Sequence, residues 1–395
     1  MNRRALCAVL PAVLAFAGCG SDSTTSSSKA TTTGSAGAVT CSAPDGAKGP
    51  GVGAKTIGFI YVGSKSDFGY NQAAHEGAEG LRAACPDIKI LEADTVPETS
   101  DMTRAAEQMI GQGAKIIFAT SYGYKDLAVA LAKKHSDVVV LQQGNFIEPP
   151  LPPNISTYFG NVYETVYLAG IAAAKATKSK KLGFVAAFPI PQTLLNINAF
   201  ELGAQSIDPK IKTYTVFTGN WCDPAKQADA ARSLLAKGAD VLSQHQDCTG
   251  TIVKASAAAG KFSVGYHFNA KSLAPKGWLT GSEWNWAPLF GALVSSIQKG
   301  EYATSEFHDN FLLGFNSTKI APPMRLSPYG PAVDVSTAEA VSNAKGEILG
   351  GRSPFTGPVV DQDGKVQVAK GKAATGKQIT AMNYLVKGVV GSIPK

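Results

Sequence analysis

The strongest constraint on this chain is a rhythm that runs twice. From Lys55 onward, short apolar runs alternate with amphipathic stretches of ten residues or more. In the first series Thr56–Val62, Ile88–Ala93, Lys115–Thr120 and Val138–Gln142 read as buried strands, with an extended piece at Ser156–Gly160. Helices are predicted from about Asn71, from Ser100 and over Lys125–Lys134; in the first, Ala74, Gly77, Ala78, Leu81 and Cys85 share one face. A second series opens with a helix at 163–177. Predicted strands at 182–187, 212–217, 240–244 and 263–266 then alternate with helices at 193–205, 224–237 and 249–259. Strands joined through helices must run parallel with right-handed crossovers. Two such series predict an α/β protein of two doubly wound lobes. A further strand at 278–282, a helix at about 288–298 and another at 337–348 make a less regular tail, expected to cross back between the lobes. The resulting expectation is 55–161 with about 284–320 in lobe I, and 162–283 with about 321–395 in lobe II.

What precedes the rhythm is of another kind. Arg3 and Arg4 are followed by a short apolar run, Ala5–Ala17, and by Ala17-Gly18 before Cys19. The run is too short for a stop-transfer helix. It resembles a bacterial lipoprotein signal, in which residues 1–18 are removed and Cys19 is acylated. Phe16 stands where leucine is usual, which keeps an ordinary signal peptide as the alternative. Both readings export the protein, and only the first anchors it to the outer face of the cell membrane. Residues 19–54 are rich in Ser, Thr, Gly and Ala and read as a flexible tether.

Cysteine usage fits export. With Cys7 in the signal and Cys19 as lipid site, Cys41, Cys85, Cys222 and Cys248 remain, an even number suited to an oxidising compartment. Three pairings are open; Cys41–Cys85 with Cys222–Cys248 is preferred because each pair falls in one half of the chain. The rival zinc reading lacks CxxC or HExxH spacing, so no metal or other cofactor is expected. The formal charge of +7 invites a nucleic-acid reading. The densest basic run, Lys175–Lys181, has no interleaved aromatics and reads as a solvated helix end, so no nucleic-acid partner is expected.

Ligands of open α/β sheets sit at the carboxyl ends of the strands. There the first series places Asp67-Phe68-Gly69-Tyr70-Asn71 and Ser121-Tyr122. The second places Phe188, Trp221 with Asp223, His245 with Asp247, His267 with Asn269, and finally Trp284. Aromatic plates beside amides and carboxylates suit a flat, hydrogen-bonding ring. His245 with Asp247, or His267, are candidate general bases. No nucleophile elbow or phosphate loop accompanies them, and Gly49–Gly53 lies before the first strand rather than after it. The chain therefore reads as a binding protein, not an enzyme; an exported nucleoside hydrolase is the lesser alternative.

The stretches DFGYNQAAHEG (67–77), TSYGY (120–124), GYHFN (265–269), EWNWAP (283–288) and PFTGPVVDQDGKV (354–366) together resemble the basic membrane protein family, PnrA-like substrate-binding lipoproteins of ABC transporters. So does the long segment from Asn220 to Asp247. The resemblance implies a type I periplasmic-binding-protein fold, two Rossmann-like lobes joined by a three-strand hinge, with the ligand in the cleft. It implies a purine nucleoside or nucleobase ligand, riboflavin in at least one branch, and an ABC permease and its ATPase as partners. A sugar or amino acid ligand is the alternative. By position, Asp67 to Asn71, Tyr122, Phe188, Trp221, Asp223, Asp247 and Trp284 would line the cleft. His267 stands where relatives carry Asp, and Asn269 is a candidate to share that role.

Overall fold

The computed structural model describes residues 39–394. Cys7, the signal sequence, the lipidation candidate Cys19 and the tether up to residue 38 lie outside the described residues.

The first series folds as β1 (Thr56–Tyr61), α1 (Tyr70–Ala84), β2 (Lys89–Ala93), α2 (Ser100–Gly111), β3 (Ile116–Thr120), α3 (Lys125–Lys134), β4 (Val139–Gln143) and β5 (Ile155–Gly160). The second folds as α4 (Tyr163–Ala176), β6 (Lys181–Ala186), α5 (Pro191–Gln205), β7 (Lys212–Phe217), α6 (Pro224–Ala236), β8 (Val241–His245), α7 (Gly250–Ala258), β9 (Phe262–Gly265) and β10 (Trp278–Trp284). The tail adds α8 (Ala287–Gln298), β11 (Asn310–Leu313), β12 (Met324–Leu326), α9 (Val335–Leu349), the ribbon β13 (Val359–Val360) and β14 (Val366–Val368), α10 (Gly376–Thr380) and β15 (Val389–Val390).

Among the described residues two large sheets result, ordered β11-β5-β4-β3-β1-β2 and β12-β10-β9-β8-β6-β7-β15, beside the two-stranded ribbon β13-β14. The five core strands have the same order in each, and every pairing among them is parallel. β1, β3, β4 and β5 are buried along their whole length, as parallel strands covered on both faces must be. α4 and α5 are buried almost all round. They pack backbone to backbone: a Cβ on Gly170 would lie 2.2 Å from the Phe200 carbonyl oxygen, and one on Gly203 2.1 Å from that of Tyr167.

Among the described residues the chain passes between the two large sheets three times, from β5 to α4, from β10 to α8 and from β11 to β12. The crossings are tied to one another. Asn161 N–H donates to the Leu313 carbonyl at 2.8 Å, and Asn285 N–H to that of Pro323 at 2.7 Å. β11, β12 and β15 have no counterpart in the sequence reading: each is two to four residues long and exists only by pairing with a remote strand, β12 antiparallel.

Residues 39–54 depart from the tether expected through 54. The Thr40 N–H donates to Ser295 Oγ at 2.7 Å, and Gly53 N–H to Gln298 Oε1 at 2.9 Å. A disulfide joins Cys41 to Cys85, and a second joins Cys222 to Cys248. Composition hides this segment because its order comes from partners far along the chain. Among the described residues no helix is long and apolar enough to cross a membrane.

Candidate functional site

Both sheets have their switch point between the first and third strands, β1/β3 and β6/β8, where helices leave in opposite directions and open a crevice. The two crevices face one another. Between them lies a cavity lined by residues of both lobes, among them Tyr70, Ser121 and Tyr122 from the first and Trp221, Asp247 and His267 from the second. Phe159 at the end of β5 and Gln192 of α5 also line it, and with Tyr122 they continue into a neighbouring cavity along the hinge.

The lobes touch. Asp247 O lies so close to Gly69 that a Cβ there would sit 1.4 Å from it. Tyr70 N–H donates to the same carbonyl at 3.3 Å, and the Thr249 hydroxyl to Phe68 O at 2.6 Å. Trp221 Nε1–H reaches across to Glu98 Oε2 at 3.4 Å, and Gln192 Nε2–H donates to Gly144 O. Glu98 is itself held by the Ser121 hydroxyl at 2.5 Å and Gly123 N–H at 2.8 Å. This is a closed cleft.

Inside it, Asp247 is buried, and burial pushes its carboxyl well above the usual carboxylate range; Asp67 and Glu98 add to the push and Asn71 opposes it. His267 Nε2 lies 3.9 Å from Asp247 Oδ1 and has no hydrogen-bond partner among the described residues, although the residue is only 2% exposed. Its Nδ1 accepts from Trp284 Nε1–H at 2.7 Å. His245 also faces the cavity, with Nδ1 3.0 Å from Asn196 Nδ2, and burial brings its pKa down to about 3. A hydrolytic pair of His245 with Asp247 would need a hydrogen bond between them; the bond His245 makes is to Asn196.

Other expected residues stand elsewhere. Asp67 spends its oxygens on α1: Oδ1 accepts from Gly69 N–H at 2.8 Å and Gln72 N–H at 3.0 Å, Oδ2 from Asn71 N–H at 3.1 Å and Nδ2–H at 2.8 Å. Asn71 Oδ1 in turn accepts from Gly63 N–H at 3.1 Å. These two shape the loop instead of offering free polar groups. Asp223 caps α6, accepting from Ala225 and Lys226 N–H, each at 3.1 Å. Asn269 accepts from Lys271 N–H at 3.0 Å. Phe68 is 37% exposed and meets Phe268 edge to face at the lobe contact, ring centres 6.1 Å apart. Phe188 backs Trp221 at 4.8 Å, and Trp284 stacks on Trp286 at 4.5 Å, so both support the wall rather than form it. Glu98, Phe159, Gln192 and Asn196 were not read from the sequence. Phe159 lies within the extended piece predicted at Ser156–Gly160, Glu98 precedes α2 and Gln192 is in the first turn of α5, and none of these positions is marked by the strand-end rule.

This geometry, strand-end loops of two doubly wound lobes closed on a polar and aromatic cavity, coincides with a family match. Residues 54–310 match the family described as PnrA-like ABC transporter substrate-binding proteins. The chain belongs to that family. A purine-binding protein of Brucella abortus is 30% identical over 86% of this chain and 94% of its own length. A Haloferax volcanii relative, provisionally named as an ABC transporter glucose-binding protein, is 28% identical over 85% and 80%. An ABC transporter nucleoside-binding protein of Lactococcus lactis is 28% identical over 55% and 60%. Among solved structures, an ABC transporter solute-binding protein of Aeropyrum pernix superposes with a TM-score of 0.65 at 15% identity, covering 75% of this chain and 91% of that one. One from Conexibacter woesei gives 0.60 at 19%, covering 76% and 98%. Such neighbours establish the type I periplasmic-binding fold. The family is one of solute-binding proteins, not enzymes.

Proposed function

We propose that this PnrA-like protein is an exported, Cys19-anchored receptor that delivers a purine nucleoside or nucleobase to an ABC permease and its ATPase. The observation that carries the reading is the pair Asp247 and His267: a buried carboxyl and a buried, unpartnered imidazole nitrogen 3.9 Å apart on the cavity wall. A buried polar group without a partner costs about 1–3 kcal/mol. A purine edge, which sets an N–H donor beside an acceptor, satisfies both groups at once. Tyr122 from one lobe and Trp221 from the other supply ring faces for the base. The names of the Brucella and Lactococcus relatives point the same way, and that of the Haloferax relative keeps a sugar as the second reading.

Ligand contacts from both lobes favour the closed form, and the closed form presents the surface the permease reads. Native mass spectrometry of the protein purified gently from its own host tests the ligand class. A bound mass matching a purine nucleoside or base is expected. A bound hexose contradicts the purine reading.

A further inference from the structure

The environment of His267 is more specific than a wall residue requires, and it fixes which proton the imidazole carries. An indole N–H can only donate, so Trp284 Nε1–H, 2.7 Å from His267 Nδ1, requires a bare lone pair there. The neutral ring then carries its one proton on Nε2, the atom that faces Asp247 and has no partner. Trp284 holds the backbone as well, its N–H donating to the His267 carbonyl at 3.1 Å. His267 itself sits at φ +67°, in a left-handed conformation that a branched or bulky side chain rarely adopts, and Phe268 N–H donates across it to Tyr266 O at 2.8 Å. Strained backbone of this kind persists where the surrounding structure over-determines it, and it gathers at ligand-contacting positions.

We propose that Trp284 is a positioning residue that locks His267 as a neutral Nε2–H donor, and that this donor beside Asp247 selects ligands with a fixed acceptor–donor edge. The inference rests on the purine reading for the ligand but not for the lock. A sugar hydroxyl both donates and accepts by rotation, so it gains nothing from a wall whose tautomer is fixed. A nucleobase cannot rotate its donors into acceptors; a wall of fixed order rewards the matching edge and leaves buried groups unpaired for any other. In inosine that edge is O6 beside N1–H; in adenosine it is a ring nitrogen beside the 6-amino group.

The groups facing His267 come from several elements: Asp247 and His245 from the end of β8, Tyr70 from α1, Tyr266 beside it in the chain, and Trp284 from β10. Glu283, next to Trp284, is engaged by Arg325 at 2.9 Å. Burial and the His245 ring both disfavour a charged His267, in keeping with an Nδ1 already taken as an acceptor.

Nitrogen-15 NMR of the full chain labelled at histidine tests the lock without any ligand. In the native protein the His267 signals should show an unprotonated Nδ1 and a protonated Nε2, unchanged between about pH 5 and 8, across the usual imidazole range. A proton on Nδ1, or titration near the ordinary histidine value, overturns the lock. In Trp284→Phe, which removes the donor and keeps a ring, the fixed tautomer should be lost and affinity for the parent nucleoside should fall at least tenfold. Because that variant removes part of a packed indole pair, the native signals decide the matter if it does not fold. Calorimetry with inosine against 1-methylinosine, and adenosine against N6,N6-dimethyladenosine, tests the selection. The methylated form of whichever parent binds should be at least tenfold weaker. Equal affinities overturn the selection, and binding of neither parent overturns the purine reading while the native signals still decide the lock.

Discussion

Aspartate shows most clearly what a residue type says and does not say. Asp67, Asp223 and Asp247 all follow strands, and all read as ligand groups. Asp67 and Asp223 give their oxygens to the first amides of α1 and α6, whereas Asp247, three residues before α7, bonds none of that helix's first amides among the described residues and lines the cavity. The Asp-Pro step at 223–224 is itself a helix-start pattern, with Pro224 at the first position of α6. Asp247→Asn should therefore weaken nucleoside binding by ten- to a hundredfold in calorimetry with little change in thermal stability. Asp223→Ala should cost about 1 kcal/mol of stability, the value of a lost cap, and leave affinity within about twofold. The carboxyl also sets a pH dependence. Burial holds its pKa above the usual value, and a ligand N–H donor stabilises the ionised form and lowers it. The bound state therefore holds fewer protons, so affinity rises with pH through that range and binding releases a proton. Titrations in two buffers of different ionisation heat should give different apparent enthalpies; identical enthalpies and a flat affinity contradict this role for Asp247.

At the scale of elements, the alternation of strand and helix was legible because most core strands, such as β1, β3, β4, β5, β8 and β10, are runs of buried residues bounded by turns, while β2 and β7 are only partly buried. Helix starts shifted by a residue or two, as at Tyr70 and Pro191. The tail strands and the order in residues 39–54 were not legible, since pairing with a remote strand or a remote cysteine leaves no local period. The αβ loops carry the closure. Gly69 lets the first loop reach the Asp247 carbonyl, so Gly69→Ala should block full closure. Affinity should fall at least tenfold with unchanged thermal stability, and small-angle scattering with ligand should remain that of an open form; normal binding would show that this contact does not gate closure. The two disulfides separate the same way. Cys222–Cys248 joins the residues that directly follow Trp221 and Asp247, whose backbones meet at 2.9 Å through Asp247 N–H and Trp221 O, while Cys41–Cys85 fastens the N-terminal segment to the end of α1. Replacing either pair with serine should cost about 2–4 kcal/mol of stability. Only loss of Cys222–Cys248 should also weaken ligand binding by several-fold or more.

For the whole molecule, two series in one chain became two sheets of the same strand order, and their repetition is why the site lies between them rather than on either. Neither half holds it alone: Ser121, Tyr122 and Tyr70 come from one, Trp221, Asp247 and His267 from the other. Strand-end position found seven of the nine residues lining the inner cavity and missed Phe159 and Gln192. It also claimed residues such as Trp284, because distance from the strand end says nothing about which layer a side chain joins. On the proposed function, this closed, two-lobed cavity recognises a purine edge through Asp247 and His267. Isothermal titration of the full chain with inosine, guanosine and adenosine, alongside glucose, tests it most directly. One-to-one heats with at least one purine nucleoside, abolished or reduced at least tenfold in Asp247→Asn, are the expected result. Saturable binding of glucose with no heat from any of the nucleosides would contradict it.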